Sequence, residues 1–255
     1  MTPSSADDIA RLAELESDFQ RRLEADKLEA MAEFAAGAGH EINNPLTVIS
    51  GRAQLLLRGE DDPERRHALA LISAQAMRVY EMIADMMLFA RPPKPELQQV
   101  ELVALLDAVV ADLSPSCTGQ ETEIRRTGES GPVFVEADPV QIGIALRAMC
   151  QNAIEALQRG GHIEIGVEQS GQPPLAAMNP EIRIRIHDDG PGIKPDERRH
   201  LFDPFYSARQ AGRGLGLGLS KAWRVVTNHG CRIEVESQSG HGATFTIVLN
   251  ASGPR

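Results

Sequence analysis

The stretch Gly37-Ala38-Gly39-His40-Glu41-Ile42-Asn43-Asn44-Pro45-Leu46 sets a histidine inside a long amphipathic pattern, and that pattern decides the first half of the fold. Apolar or small residues recur at Leu28, Met31, Ala35, Ala38, Ile42, Leu46, Ile49, Ala53 and Leu56 in alternating steps of three and four. That is the spacing of a helix–helix seam. His40 stands two residues from both Ala38 and Ile42. At about 100° per residue it faces nearly opposite the seam, where solvent or a second domain can reach it. Asn44 lies one turn further on and shares that face. Pro45 lacks an N–H and crowds the Glu41 carbonyl, so a bend is expected just below the histidine.

Upstream, Met1 to Asp8 reads as a disordered start. Ile9 to Glu29 is charge-rich, with sparse apolar positions at Leu12, Leu15, Phe19 and Leu23. Such a helix is marginal alone and serves either as a solvated lead-in or as a coiled coil feeding twist into the His40 helix. No recognisable sensor module precedes it. Downstream, Arg58-Gly59-Glu60-Asp61-Asp62-Pro63 breaks the helix, with Gly59 suited to a C-terminal cap and Pro63 to a first turn. Leu69, Ile72, Ala76, Val79, Ile83, Met86 and Ala90 then repeat the three-four alternation. Two such helices form an antiparallel hairpin that leaves much of each apolar stripe uncovered, and dimerisation into a four-helix bundle would cover it.

Arg91-Pro92-Pro93-Lys94-Pro95 cannot continue a helix and marks a domain boundary. Beyond it, helices are expected over Leu102–Leu113, Pro139–Gln158 and Leu217–His229. Strands are expected over Val133–Val135, His162–Glu168, Glu181–His187, Cys231–Glu236 and Gly242–Leu249. Helices segregated against a mixed sheet make an α+β sandwich. The organisation is thus a lead-in over 1–26, an all-α hairpin over 27–92, an α+β domain over 93–250 and a tail over 251–255.

Composition narrows the function. The 255 residues are 42% hydrophobic and 24% charged, with net charge −10 and pI about 5.2. Nothing in that balance suggests a nucleic-acid groove or an anionic membrane surface as partner. Cys117, Cys150 and Cys231 have no paired spacing and read as reduced thiols. No apolar run approaches membrane-spanning length and no signal pattern opens the chain, so membrane insertion is not expected and a cytoplasmic location is.

A lone histidine on a helix is ordinarily a solvated surface residue, but His40-Glu41-Ile42-Asn43-Asn44-Pro45-Leu46 resembles the phospho-acceptor box of the sensor histidine kinases. A second set of motifs points the same way. Gln151-Asn152-Ala153-Ile154-Glu155-Ala156 resembles the asparagine box of the ATPases shared by gyrase, the Hsp90 chaperones, MutL and the histidine kinases. Asp188-Asp189-Gly190-Pro191-Gly192-Ile193 resembles their next motif. Leu201-Phe202-Asp203-Pro204-Phe205-Tyr206-Ser207 is similar to the phenylalanine box. Gly212-Arg213-Gly214-Leu215-Gly216-Leu217-Gly218-Leu219-Ser220 supplies a glycine-rich stretch able to cradle phosphates ahead of a helix N-terminus. Gly240-His241-Gly242-Ala243-Thr244-Phe245 closes the series. The resemblance runs from about Lys27 to Leu249.

The resemblance implies ATP and Mg²⁺ as cofactors, with Asn152 as metal ligand, since an amide oxygen is a hard neutral donor suited to Mg²⁺. It implies Asp188 as acceptor for the adenine amino group, with Gly190 and Gly192 admitting backbone beside the base. Arg209 and the segment Gly214, Leu215, Gly216, Leu217 and Gly218 would face the phosphates, and Thr244 would contact the adenine side. It implies His40 as acceptor, Glu41 as the group that holds the tautomer and takes the proton, and Asn44 as the residue that orients water for regulator dephosphorylation. The partners implied are a second copy of the chain and the receiver domain of a response regulator, with the upstream signal unknown. Two departures stand out. The family's second asparagine, one turn before Asn152, is Ala148 here, and a position often basic in relatives is Glu155. An ATPase without kinase activity and a binding-only module are the alternatives.

Overall fold

A computed structural model describes residues 5–129, 131–169, 181–206 and 216–250. The chain divides into two compact units, Met1–Arg91 and Pro92–Arg255.

The first unit is a helical hairpin of α1 (Ser5–Leu57) and α2 (Pro63–Ala90). Asp62 starts α2 by accepting the Glu64 and Arg65 N–H groups at 2.9 and 3.0 Å, with Pro63 where a missing N–H costs nothing. The turn is tied by the Arg66 guanidinium, which donates to the Leu57 and Glu60 carbonyls at 3.2 and 2.8 Å. Ser50 and Ser73 hydroxyls meet between the helices at 3.1 Å.

The helix runs unbroken through Pro45, and Thr47 Oγ1 donates to the Asn43 carbonyl at 2.8 Å. The seam against α2 follows the expected stripe only in part, keeping Ala35 and Ala53 but adding Ala32, Gly39 and Ser50. Ala32, Ala35, Gly39, Ser50 and Ala53 are buried, whereas Ile42, Ile49 and Leu56 are 38%, 46% and 61% exposed. Small residues let the helices approach closely. A Cβ on Gly39 would stand 3.4 Å from Ile83 Cγ2.

The second unit is an α+β sandwich. Its elements are β1 (Gln98–Glu101), α3 (Leu102–Gly119), β2 (Glu123–Gly128), β3 (Phe134–Ala137), α4 (Pro139–Leu157), β4 (His162–Gln169), β5 (Glu181–Asp188), α5 (Pro195–Arg198), α6 (Gly218–Asn228), β6 (Arg232–Ser237) and β7 (Ala243–Asn250). The main sheet runs β2-β4-β5-β7-β6, parallel only between β2 and β4, and β1 pairs with β3 in a two-stranded ribbon. β1, β2 and α5 were not expected from sequence. β2 reads Glu-Ile-Arg-Arg-Thr-Gly and lies at the sheet edge, so it carries little of the apolar alternation that marks a strand.

Alternation places the core. On β5, Ile182, Ile184 and Ile186 point inward with Ile163, Ile165, Phe245 and Ile247 of the neighbouring strands. There they meet Leu106 and Val109 of α3, Ile142, Leu146 and Met149 of α4, and Val225 and Val226 of α6. The other face is ionic, with Arg183–Glu234 at 2.9 Å, Arg232–Glu181 at 3.0 Å and Arg185–Glu168 at 3.2 Å. Among the described residues α3 alone has the length and mean hydropathy to cross a membrane. Here Leu102, Leu106, Val109 and Cys117 of that helix are buried within the sandwich.

Candidate functional site

The inward row of β5 ends on a carboxylate. Asp188, 3% exposed, follows Ile182, Ile184 and Ile186 by strand parity, while Asp189 turns out. Burial pushes the Asp188 carboxyl up, although the Gly190 N–H, 3.1 Å from Oδ1, works the other way. Asp189 has a structural task. It accepts the His162 N–H at 2.7 Å and faces His162 Nδ1 at 2.9 Å, joining the end of β5 to the start of β4.

The turn after Asp188 is built from close backbone approaches. Gly192 has φ +69° and Gly242 φ +80°; a Cβ on Gly192 would enter the Gln238 carbonyl, and one on Gly242 the Asp188 carbonyl. Any side chain there would push the β6–β7 turn off this loop. A Cβ on Gly190 would lie 3.5 Å from Leu157 Cδ2 and 3.8 Å from Ala156 Cβ, so the loop rests on the last turn of α4. Asn152, half-buried, is one helical turn before Ala156 and borders the same end of the sheet. Glu155 accepts from Gln151 Nε2 at 3.3 Å.

The beginning of α4 is held by Asp138. Its Oδ1 accepts the Val140 and Gln141 N–H groups at 2.9 and 3.0 Å, and its Oδ2 accepts the Glu96 N–H at 3.0 Å. Beside it the buried His229 accepts the Asp138 N–H on Nε2 at 3.2 Å and bonds the Val225 carbonyl through Nδ1 at 2.8 Å. These contacts fix α4, and hence Asn152, against the sheet.

Gly216, with φ +67°, packs so that a Cβ would come 2.6 Å from the Tyr206 carbonyl oxygen. The phenylalanine-box segment and the glycine-rich segment therefore meet there. Phe205 is 50% exposed and has φ +64°, the left-handed region that an aromatic residue rarely adopts. Leu217 is buried, and Gly218 opens α6 exposed to solvent. Arg209, Gly214 and Leu215 lie outside the described residues.

Thr244 is placed otherwise than expected. It pairs with His187, and its Oγ1 lies 3.0 Å from His187 Nδ1, on the sheet face away from Asp188. The residue paired with Asp188 is Ala243. The cause is the two-residue period of the strand, which turns successive side chains to opposite faces.

The chemistry of this end fits a nucleotide base and a hydrated metal. A buried carboxylate without an ion-pair partner among the described residues keeps acceptor capacity for a neutral N–H donor such as an exocyclic amine. Among the described residues no group of three or more His, Cys, Asp or Glu could enclose a metal ion. An amide oxygen supplemented by phosphate and water suits Mg²⁺ better than such a cage.

In the hairpin, His40 and Glu41 are exposed, as is Asn44. His40 is not opposite the seam. It borders a groove of about 270 Å³ between α1 and α2, shared with Asn43, Tyr80, Ile83 and Met87. The shift of the seam to Gly39 brings the imidazole beside α2. Asn43 was not singled out from sequence, because its neighbour Asn44 occupies the position that the motif emphasises.

Comparison with known proteins follows the same division. Residues 30–94 match the family described as the His Kinase A (phospho-acceptor) domain, and residues 137–253 the family described as histidine kinase-, DNA gyrase B-, and HSP90-like ATPase. The chain is 31% identical to the sensor histidine kinase ZraS of Escherichia coli (strain K12) over 236 residues, covering 92% of this chain and 48% of that protein. It is 31% identical to the histidine-protein kinase AtoS of the same strain, covering 91% of this chain and 37% of that one. The chain thus spans about half the length, or less, of these curated relatives. Among solved structures, full-length ShkA in complex with AMPPNP superposes with a TM-score of 0.72 at 24% identity, covering 88% of this chain and 47% of that one. ThkA in complex with the response regulator TrrA superposes with a TM-score of 0.59 at 24% identity, covering 95% and 67%.

Proposed function

Since the chain belongs to the sensor histidine kinases, carrying their phospho-acceptor hairpin and their ATPase domain in order, we propose that it phosphorylates its own His40 from ATP and passes the phosphoryl group to a response-regulator aspartate. The observation that carries this is an exposed histidine on a helical hairpin together with a buried Asp188 in a separate unit, without an ion-pair partner among the described residues. Acceptor and nucleotide are then held by different bodies, as a transfer between them requires.

Asp188 accepts from the adenine amino group, and the Gly190–Gly192 turn brings backbone beside the base. Asn152 would hold Mg²⁺, and the N-terminal N–H groups of α6 would face phosphate. Mg-ATP, when bound, supplies the γ-phosphoryl group and the charge neutralisation of its metal. An unprotonated His40 ring nitrogen would attack the γ-phosphorus, the bond to the bridging oxygen would break with ADP as leaving group, and Glu41 would take up the ring proton. Catalysis is mostly positioning and electrostatic stabilisation. Asn44 orients a water against the regulator's phospho-aspartate, an amide being able to donate and accept without becoming charged. ThkA was solved with a response regulator, which supports a receiver domain as partner. Exposed apolar residues on both helices support a homodimer. The ATP requirement supports a cytoplasmic location.

One experiment with three variants tests the scheme. Incubation with γ-labelled ATP should leave acid-labile, alkali-stable label on the parent protein. His40→Ala should take none while still binding ATP, and undiminished label would overturn the acceptor assignment. Asn152→Ala should lose Mg-ATP affinity. Asn44→Ala should keep labelling and transfer but lose most regulator dephosphorylation; parallel loss of all three activities would make Asn44 structural.

A further inference from the structure

The groove beside His40 is open because its walls are short. Ala35, Ala36, Gly39 and Ala84 carry no more than a methyl group each, and about 270 Å³ is left between α1 and α2. A Cβ on Gly39 would stand 3.4 Å from Ile83 Cγ2, which fixes the level at which the two helices face one another. Tyr80 precedes Ile83 by three residues, about 4.5 Å along α2. In an antiparallel pair that step runs the same way as the step from Gly39 to His40 and Asn43. Tyr80 therefore stands across the groove from the turn that carries the imidazole, and it lines the groove with His40 and Asn43. It is 47% exposed, so its hydroxyl is open to solvent.

We propose, resting on the reading of His40 as the phospho-acceptor, that the Tyr80 hydroxyl donates a hydrogen bond to the phosphoryl group once His40 carries it, and so holds phosphohistidine in the groove until transfer. A phosphoryl group brings about two negative charges and three acceptor oxygens. The groove lining contains no lysine or arginine, so neutral donors there have to meet that charge. Apart from His40 itself the lining offers two, the Tyr80 hydroxyl and the Asn43 amide. The Asn43 oxygen is shut off from solvent, and that amide sits on the histidine's own helix. Tyr80 comes from the facing helix and ends a long, rigid ring. A hydrogen bond to a charged acceptor is about twice as strong as one between neutral groups. Glu41 keeps its separate task with the ring proton, because Tyr80 acts on the phosphoryl oxygens and not on a ring nitrogen.

The test reads an equilibrium and not a rate. Protein is incubated with γ-labelled ATP and ADP at a fixed ratio, without a regulator, until the acid-labile label per chain stops changing. Tyr80→Phe removes one half-exposed oxygen and keeps the ring, so the hairpin is preserved. Its ratio of phosphorylated to free protein should fall about tenfold, the worth of one hydrogen bond to a charged group. ATP affinity, measured by calorimetry, should be unchanged. A purely geometric role for Tyr80 would slow the approach to equilibrium and leave its position unmoved. The ³¹P resonance of the phosphorylated protein, followed against pH, gives a second reading. Loss of a donor to the charged form should raise the phosphoryl pKa in Tyr80→Phe. A labelled fraction equal to the parent's, or an unshifted phosphoryl pKa, would overturn the proposal. If the parent protein itself takes no label, the kinase reading fails and the Tyr80 contact with it. If label forms and His40→Ala abolishes it, while Tyr80→Phe leaves the equilibrium where it was, the Tyr80 contact alone fails.

Discussion

Asp188 illustrates how a single residue can be set against its own fold. An ionised carboxylate at the end of an isoleucine row is penalised by burial, and its pKa is raised accordingly. Between the unfolded and folded values the native state binds a proton that the unfolded chain has released, so stability falls as pH rises through that window and the full cost persists above it. Asp188→Asn should therefore raise the thermal midpoint at pH 7 and abolish nucleotide binding. A differential scanning measurement beside a calorimetric titration checks both, and a lower midpoint with intact binding would contradict the argument. Such a trade of stability for activity is common where a site needs a buried charge.

At the scale of the element, α4 depends on its first turn. Burial alone would raise the Asp138 carboxyl, but the Gln141, Glu96 and Val140 N–H groups outweigh it, and the pKa is lowered. The sign is opposite to that of Asp188. Asp138 contributes stability above the ordinary carboxylate pKa of about 3.9, and loses it as pH falls through its lower folded value. Asp138→Ala should cost about 0.5–2 kcal/mol as a lost helix cap, with more from the freed Glu96 N–H. The difference from the parent protein should shrink below about pH 4, the region where the parent's own advantage titrates away. Chemical denaturation at pH 7 and pH 3 measures this; a gap independent of pH would show that packing, not charge, is lost.

For the whole molecule, the hairpin leaves apolar surface that its own helices do not cover. Ile49 and Leu56 on α1 and Leu71 and Ile72 on α2 are 46% to 61% exposed. A second copy burying these side chains explains why the apolar pattern is wider than one seam. Ile49→Asp combined with Leu56→Asp should shift the sedimentation equilibrium from dimer to monomer and lower helix content at micromolar concentration. A concentration-independent monomer in the parent protein would remove the basis for the bundle.

The periodicity of the chain determined by itself that two long helices precede an α+β unit, because a three-four spacing and a two-residue spacing cannot be exchanged between helix and strand. The prolines after Arg91 placed the break, since they supply no N–H. The box around Asp188 was legible through its resemblance to the ATPase motif, since an Asp-Gly-Pro-Gly run by itself reads equally well as a turn. Three matters were decided only by the tertiary structure. Which residues of α1 meet α2 depended on Gly39 and the alanines allowing close approach, whereas Ile42, Ile49 and Leu56 of the expected stripe were left outward. Thr244 was turned from the nucleotide side by its register with His187, and register is set between strands rather than along one. The edge strand β2, with Arg125 and Arg126 in it, takes its place from pairing with β4, a partner supplied by a segment more than thirty residues away.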